Sequence, residues 1–328
     1  MRRQRTYLVF AAKIAVSLAL LYVAVGFVNF GALRERLHRI DTIWFAAALF
    51  VLVFQIALVS RRWQRIADGC GAALGITHAI LYTLIGSFFS QVLPSTIGGD
   101  AARIWFLARD TGAWKSAIFS VLIDRIAGLI WLALLVLICL PWSLVLIHNP
   151  VGRTALFAIG AAGVAAPAGL FVLSRSGVAP FQNWKATRHV TEIAATAWTV
   201  LTSPKSGAAI ALISIAVHLL TVLAVWCCAV AIGSPFTLMD SVLLIPPVIL
   251  VAAVPVSIAG WGVRESAMLA AFSYAGLPDS DGLLVSILFG AGSFVIGAAG
   301  GIVWSVGTNR TRLRALQEAG EKAGGLSL

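Results

Sequence analysis

The chain has 328 residues, of which 60% are hydrophobic and only 11% are charged, and its mean hydropathy is +0.95. Soluble domains carry roughly 25% charged residues, so this composition excludes a soluble protein and predicts an integral membrane protein. The net charge of +11 does not indicate a nucleic-acid partner, because the arginines and lysines form short clusters between apolar runs, as in the cytoplasmic loops of membrane proteins.

Six apolar runs are long enough to cross a bilayer, which takes about 20 helical residues. These runs lie near 7–28, 42–60, 116–140, 153–173, 208–232 and 284–307. Two more apolar regions, near 77–101 and 241–275, are interrupted by proline and glycine. No polar block is long enough for a separate domain, so we expect one integral membrane domain over residues 1–328 that ends in a basic tail, 308–328.

Lysine and arginine in the loops predict the orientation, because cytoplasmic loops are enriched in both. If the two termini and the loops near 61–65, 103–115 and 175–205 are cytoplasmic, 17 of the 24 basic residues lie on that side. Both flanks of 77–101 are then cytoplasmic, and both flanks of 241–275 are external. Each interrupted region would therefore enter and leave the membrane by the same side. If either region is instead a full span, the topology inverts after it.

This topology predicts an all-α polytopic membrane protein with about six full transmembrane helices and two opposed re-entrant helical hairpins. The hairpin tips share a pattern, because Pro94 and Pro255 are each followed by Ile at +3, Gly at +5 and Arg at +9. Irregular backbone at membrane depth is tolerated only where it is buried in protein or lines a cavity. Matched interruptions in two halves of a chain therefore point to an inverted repeat with a transporter-like binding site.

Charged residues within the apolar regions are the next candidates, because an ionisable side chain inside a span is costly and is a functional-site hypothesis by default. Asp124 and Arg125 lie in the run 116–140. The two hairpins add Asp100 and Arg103, and Arg264 and Glu265. The six residues sum to three positive and three negative charges.

The spacing of these charges predicts how they pair. Asp100 and Arg103 are three residues apart and share a helical face. Arg264 and Glu265 are adjacent and are predicted to point in different directions, each toward a partner elsewhere. The alternative is that all of these residues form buried ion pairs that only lock helices together.

Small residues beside the charges favour a phosphate ligand, because a helix N-terminus with free amides and a nearby arginine binds phosphate. Ser95 can cap a half-helix, while Gly98 and Gly99 would let its amides approach a lipid head group. The alternative for these glycines is close helix packing. The candidate substrate-binding residues are Ser95, Gly98, Gly99, Asp100, Arg103, Asp124, Arg125, Ser257, Gly260, Gly262, Arg264 and Glu265.

Motifs for soluble catalysis are absent from the sequence: there is no P-loop, no dinucleotide-binding fingerprint and no zinc-protease motif. We therefore expect no cofactor, no metal and no enzymatic activity. Gly290, Gly297 and Gly301 in the last span are spaced for helix packing, and a homodimer through that span is left open.

Four blocks of sequence carry a family resemblance. They are Arg61-Arg62-Trp63, the run from Phe88 to Arg103, the run from Asp124 to Leu129, and the run from Pro255 to Glu265 with its Gly-Trp-Gly-Val-Arg-Glu end. With these blocks the chain resembles, over about residues 5–310, the lysylphosphatidylglycerol synthase transmembrane region, also called the flippase-like domain family. The resemblance implies a multi-pass protein of the bacterial or archaeal cytoplasmic membrane that moves lipids between leaflets.

In the best-known members of that family, a cytoplasmic synthase that adds lysine to phosphatidylglycerol is fused to this region. We expect no synthase domain here, so a separate lipid-synthesis enzyme is left open as a partner. The leading hypothesis is a flippase for an anionic or aminoacylated phospholipid or a related glycolipid, in which Arg103 and Arg264 hold the phosphate from either side of the midplane. The alternatives are an intramembrane transferase acting on a lipid or polyprenyl-phosphate carrier, and a non-transporting scaffold for lipid-synthesis enzymes.

Overall fold

The computed structural model describes residues 40–93, 98–175, 185–253 and 262–324. Over these ranges the chain is helical and contains no β-strand, as predicted. The helices are α1 (Thr42–Gly69), α2 (Ile76–Val92), α3 (Gly98–Thr111), α4 (Trp114–Leu146), α5 (Pro150–Arg175), α6 (Lys185–Leu201), α7 (Gly207–Ala231), α8 (Leu238–Ala252), α9 (Val263–Tyr274) and α10 (Asp279–Gly324).

Four helices within the described ranges are long and apolar enough to cross a bilayer. They are α1, α4, α7 and the part of α10 up to Gly307, and each contains one of the predicted spans, apart from the last residue of 208–232, which follows α7. The predicted span 153–173 falls within α5, and the predicted span 7–28 lies outside the described residues. The helix α10 continues through most of the predicted tail, to Gly324. The fold is therefore an all-α polytopic membrane fold.

The two ends of the bundle are defined by α1 and α7, which run antiparallel and pack along their length. At one end the Asp41 N–H donates to the Ala231 carbonyl at 2.8 Å. Toward the other end Arg62 Nη1 donates to Ser214 Oγ at 3.3 Å. We call the end at which α1 finishes, near Gly69, end A, and the end at which α7 finishes end B.

The first hairpin consists of α2 and α3, and both of its arms connect at end A, where α1 finishes and α4 begins. Near the tip, a Cβ added to Gly99 would collide with the Gly86 carbonyl oxygen. Nearer end A, Tyr82 stacks on Phe106 with ring centroids 5.1 Å apart, and its hydroxyl donates to Asp110. These contacts pair the arms in antiparallel order.

The predicted first hairpin, 77–101, is too short. Its second arm continues as α3 to Thr111, through residues that the sequence assigns to a cytoplasmic loop. The prediction ends too early because this arm contains Arg103, Arg109 and Asp110, and charged residues such as these are typical of loops. The structure gives two of them partners inside the hairpin and the bundle, since Asp110 accepts from Tyr82 and Arg103 is buried.

The second hairpin consists of α8 and α9, within the predicted region 241–275 apart from its first residues. Both of its arms connect at end B, where α7 finishes and α10 begins. Phe236, just before α8, stacks on Phe272 near the end of α9, with centroids 4.6 Å apart. The two hairpins therefore enter the bundle from opposite ends. Their tips, 94–97 and 254–261, lie outside the described residues.

Glycines of α10 let it pack closely on α2, as predicted for this span. A Cβ on Gly297 would lie 3.2 Å from Gln91 Cγ, and one on Gly301 would lie 2.7 Å from the Phe88 ring. This glycine face is covered by α2 of the same chain. A homodimer would therefore have to use another surface.

Candidate functional site

A buried carboxylate joins three helices near the first hairpin. Asp124 of α4 accepts a hydrogen bond from Arg62 Nε of α1 at 2.8 Å and one from Arg103 Nη2 of α3 at 3.0 Å. The side chain of Asp124 is 2% exposed, and those of the two arginines are 8% exposed. Asp124 thus ties α3, an arm of the first hairpin, to two long helices.

A second carboxylate extends this group of charges toward the surface. Asp100 accepts two hydrogen bonds from Arg125, from Nε at 2.8 Å and from Nη2 at 3.1 Å, and lies 3.7 Å from Arg103 Nη1. The side chain of Arg125 is 53% exposed, compared with 13% for Asp100. We call Arg62, Asp100, Arg103, Asp124 and Arg125 the first-hairpin cluster. Its accessible cation is Arg125.

Neighbouring side chains fix the orientation of the buried arginines. The Arg103 guanidinium lies 4.1 Å above the centre of the Trp63 ring, a cation–π contact. The Trp63 indole N–H in turn donates to Ser120 Oγ at 3.2 Å. On the other side of Asp124, Arg62 is held by Ser214 as well. The buried part of the cluster is therefore held by several contacts, whereas Arg125 is exposed.

The first-hairpin cluster is not balanced in charge. Three arginines face two carboxylates, which gives a formal charge of +1. In addition, Arg103 Nε is buried and finds no hydrogen-bond acceptor among the described residues. A buried donor without a partner costs about 1–3 kcal/mol. Both properties favour an anion as the ligand.

The depth of the cluster follows from helix geometry at about 1.5 Å per residue. Asp124 is ten residues from the start of α4, or about 15 Å from end A, and Arg62 is seven residues from the end of α1, or about 10 Å. The hydrocarbon core of a bilayer is about 30 Å thick. The cluster therefore lies well inside the bundle, in the half nearer end A.

A different arrangement holds the second hairpin. Glu265 Oε1 accepts from Arg264 Nη2 at 2.6 Å and from Ser286 Oγ at 3.1 Å, and Oε2 accepts from the Gly262 N–H at 2.6 Å. Arg264 Nε also donates to Ser286 at 3.0 Å, and its guanidinium lies 5.5 Å from the Phe289 ring. We call these five residues the second-hairpin cluster. It has one positive and one negative charge.

The prediction that Arg264 and Glu265 point toward separate partners is wrong, because they bind each other. Glu265 is the third residue of α9 and turns back to the Gly262 N–H that precedes the helix. This capping arrangement brings the carboxylate beside Arg264, and Ser286 of α10 bridges the two. Local helix-end geometry therefore overrides the simple angular spacing of adjacent residues.

The two clusters are separate sites. Ser286, in the second cluster, and Gly297, which contacts Gln91 of α2 close to the first hairpin's tip, are eleven residues apart on α10. That spacing corresponds to about 16 Å along the helix. The structure thus brings Arg103 together with Asp100, Asp124 and Arg62, and places Arg264 in the other cluster. It does not bring Arg103 and Arg264 together.

The glycines near the tips have packing roles in the structure. A Cβ on Gly98 would lie 2.6 Å from Leu93 Cβ, and one on Gly99 would collide with Ser90 Oγ. Close packing of α2 on α3, the alternative considered for these glycines, therefore accounts for both. Gly262 has a φ of +86°, which other residues rarely adopt. The remaining candidates, Ser95, Ser257 and Gly260, lie outside the described residues.

Arg62 is the site residue that the sequence missed. It follows the predicted span 42–60 and, with its basic neighbours, was assigned to a cytoplasmic loop. The helix α1 instead continues to Gly69, so Arg62 lies within this helix and is buried in the bundle. A signal was present, because Trp63, Ile66 and Ala67 continue the helical apolar spacing, and all three are buried.

A comparison with known families identifies the family of this chain. The model of the lysylphosphatidylglycerol synthase TM region matches residues 10–301, a range that contains both hairpins and both clusters. The chain belongs to this family. No curated protein and no solved structure matches it. Membership confirms the resemblance noted in the sequence, and it places the chain in a family of membrane domains that often have a flippase-like role.

Proposed function

We propose that this protein moves a phosphate-bearing lipid between the leaflets of the cytoplasmic membrane of a bacterium or archaeon, and that the first-hairpin cluster binds the lipid head group. The supporting observation is the excess positive charge of that cluster, together with the unpaired Nε of Arg103 within the described residues. A phosphate group supplies the missing negative charge and hydrogen-bond acceptors.

Head-group binding would work by exchange of partners at the exposed edge of the cluster. Arg125 already presents Nε and Nη2 to one carboxylate, Asp100, and the same fork fits a phosphate. When a phosphate takes Arg125, Asp100 is released and can pair with a cationic group. This arrangement suits an anionic lipid and also an aminoacylated one, whose ammonium would bind Asp100. Related glycolipids that carry phosphate fit the same site.

The orientation in the membrane is proposed from the loops at the two ends of the bundle. Residues in or beside the end-A loops include Arg109, Lys115 and Lys205, whereas Asp240 and Asp279 lie beside the end-B loops. By the positive-inside tendency, end A is the cytoplasmic side, with both termini on that side. The two hairpins would then be re-entrant from opposite faces, and the first-hairpin cluster would open toward the cytoplasmic leaflet.

The test is lipid translocation in proteoliposomes. Fluorescent phosphatidylglycerol, lysyl-phosphatidylglycerol and a polyprenyl phosphate would be compared with a zwitterionic lipid, for the wild type, Arg125→Gln and the matched control Arg109→Gln. Arg109 is an exposed arginine on the same hairpin, outside the cluster. We expect wild-type movement of an anionic lipid, a loss of about tenfold in Arg125→Gln, which is 1.4 kcal/mol of interaction, and no change in Arg109→Gln.

Three outcomes would contradict the proposal. Equal translocation by Arg125→Gln and the wild type would show that the first-hairpin cluster does not bind the head group. Chemically altered lipid, detected by mass spectrometry, would favour the intramembrane transferase. Neither movement nor alteration of any of these lipids, with specific capture of a lipid-synthesis enzyme, would favour the scaffold.

A further inference from the structure

An apolar groove lies between α4, α5 and α6 and ends at the start of α7. Its volume is about 390 Å³, which is within the range of about 300–1,000 Å³ typical of small-molecule sites. It runs from Ile126 to Leu134 on α4, a length of about 12 Å. Phe171 of α5 and Trp198 of α6 both line it, with their ring centroids 4.4 Å apart.

This groove is distinct from the first-hairpin cluster, although both use α4. The groove residues Ile126, Ile130 and Leu134 follow each other at four-residue spacing and lie on one face of the helix. Asp124 precedes Ile126 by two residues, and residues at this spacing do not face each other. Asp124 and these groove residues therefore lie on different faces of α4, and no residue of the first-hairpin cluster lines the groove.

The lining of the groove determines the chemistry of its occupant. None of the described lining residues is charged, and the large ones are partly exposed, with Leu134 38%, Val164 37% and Trp198 47% exposed. Within a bilayer such a groove faces hydrocarbon, and water cannot replace it because a buried water needs two to four polar partners. Such a lining fits a hydrocarbon chain.

Charge at one end of the groove identifies the kind of lipid. Thr202 and Gly207 line the groove where it reaches end A, and the exposed Lys205 lies between them in the sequence. A cation at the membrane surface beside a hydrocarbon groove fits an anionic phospholipid, since each basic residue there contributes about 1 kcal/mol of attraction to anionic lipid.

We propose that the groove between α4, α5 and α6 binds one acyl chain of an anionic membrane phospholipid, as a second lipid site separate from the head-group site of translocation. The bound chain fills the gap between α5 and the rest of the bundle beneath the amphipathic helix α6. Its head group lies at end A beside Lys205.

The experiment is photolabelling of the full chain in vesicles that contain phosphatidylglycerol with a diazirine on the acyl chain, followed by mapping of the adducts by mass spectrometry. We expect adducts on Val164, Phe171 and Trp198 in the wild type. The variant Ala168→Phe places a ring in the groove, because Ala168 lines it and is exposed. We expect at least a fivefold loss of these adducts in Ala168→Phe.

A matched control lies one residue further along the same helix. A Cβ on Gly169 meets no atom within 4 Å, and Gly169 is not a lining residue, so Gly169→Phe adds a ring outside the groove. This control is expected to label like the wild type. Lys205→Glu is expected to lower labelling by phosphatidylglycerol at least threefold and to leave labelling by a phosphatidylcholine probe unchanged.

Three results would overturn this inference. The first is equal labelling of the groove in Ala168→Phe and the wild type. The second is labelling that is the same for the two head groups and is unchanged in Lys205→Glu, and the third is protein–protein cross-links that place a second copy in the groove. Circular dichroism and size-exclusion profiles establish that each variant is folded. Photolabelling reports on binding alone, so absence of wild-type translocation would refute the proposed function without affecting this test.

Discussion

The two hairpins use similar residues in different ways. Each has an arginine and a carboxylate near its tip, Arg103 with Asp100 in the first and Arg264 with Glu265 in the second. In the first hairpin these residues join charged groups from α1 and α4, and the resulting cluster has a spare positive charge and an accessible arginine. In the second they close on each other, on Ser286 and on a backbone amide.

This difference shows that a charge at membrane depth is not by itself a sign of a binding site. The carboxylate of Glu265 is fully buried and accepts hydrogen bonds at both oxygens, so an added ligand would have to displace existing partners. Such a pair can hold a hairpin in place without any ligand. In the first cluster the unbalanced charge and the unpaired Nε of Arg103, within the described residues, indicate a ligand. The comparison leads to four predictions.

The largest effect is expected for Asp124→Ala. Removal of this carboxylate leaves Arg62 and Arg103 buried beside each other without their shared partner. Breaking a buried pair by removing one member costs about 3–5 kcal/mol. We expect the free energy of unfolding, measured by denaturant titration in detergent, to fall by that amount. A decrease below about 1 kcal/mol would mean that the cluster is solvated like a surface ion pair.

A smaller loss is expected for Arg103→Lys. Lysine keeps the charge but lacks the planar fork that reaches two carboxylates and stacks on Trp63. One charged hydrogen bond is lost, which costs about 1.5–3 kcal/mol of stability. Translocation of an anionic lipid should fall more than it does in Arg109→Lys, the matched change on the same hairpin. Equal translocation in the two variants would count against a geometric role for Arg103.

Gly262→Ala tests the cap of the second hairpin. At a φ of +86° a side chain is strained, at a cost of about 1–3 kcal/mol. The matched control is Gly169→Ala, in the interior of a helix and in open space, where alanine should stabilise by about 0.5–1 kcal/mol. Thermal unfolding of the two variants should therefore shift in opposite directions. A shift in the same direction would show that the backbone at Gly262 relaxes.

The smallest effect is expected for the double variant Arg264→Met with Glu265→Gln. Glutamine can still accept from the Gly262 N–H, and replacement of a whole buried ion pair is often neutral or stabilising. Translocation should stay within about twofold, or 0.4 kcal/mol, of the wild type. A loss of translocation as large as that of Arg125→Gln would contradict the distinction between the two hairpins. It would mean that Arg264 contributes to head-group binding.

Much of the fold could be predicted from the sequence, because the signals are local. The apolar runs 42–60 and 116–140 each lie within a long helix, the run 208–232 matches α7 to within one residue, and each interrupted region spans the break between two helices. Helix ends were less accurate. The predicted first hairpin ends at 101 and the predicted span in α1 ends at 60, because the polar and basic residues that follow resemble loop residues. The structure instead gives Arg62, Arg103 and Asp110 partners within the bundle.

The candidate site was predicted in part. Asp100, Arg103, Asp124 and Arg125 do form one cluster, but Arg62 was missed and Arg264 belongs elsewhere. Arg62 is 62 residues from its partner Asp124, and a contact of that separation depends on how α1, α3 and α4 pack. One sequence carries no direct signal of such pairing.

The sequence by itself predicts that this protein lies in a membrane, where most of its long apolar helices lie along the chain, and where proline and glycine interrupt two apolar regions. These properties depend on the transfer free energy of short segments, which composition determines. Only the tertiary structure decided which charges meet, that one cluster is open and the other closed, and that Arg103 and Arg264 are apart. Charge pairing depends on distances of a few ångströms between side chains on different helices, and only the packing of those helices determines such distances.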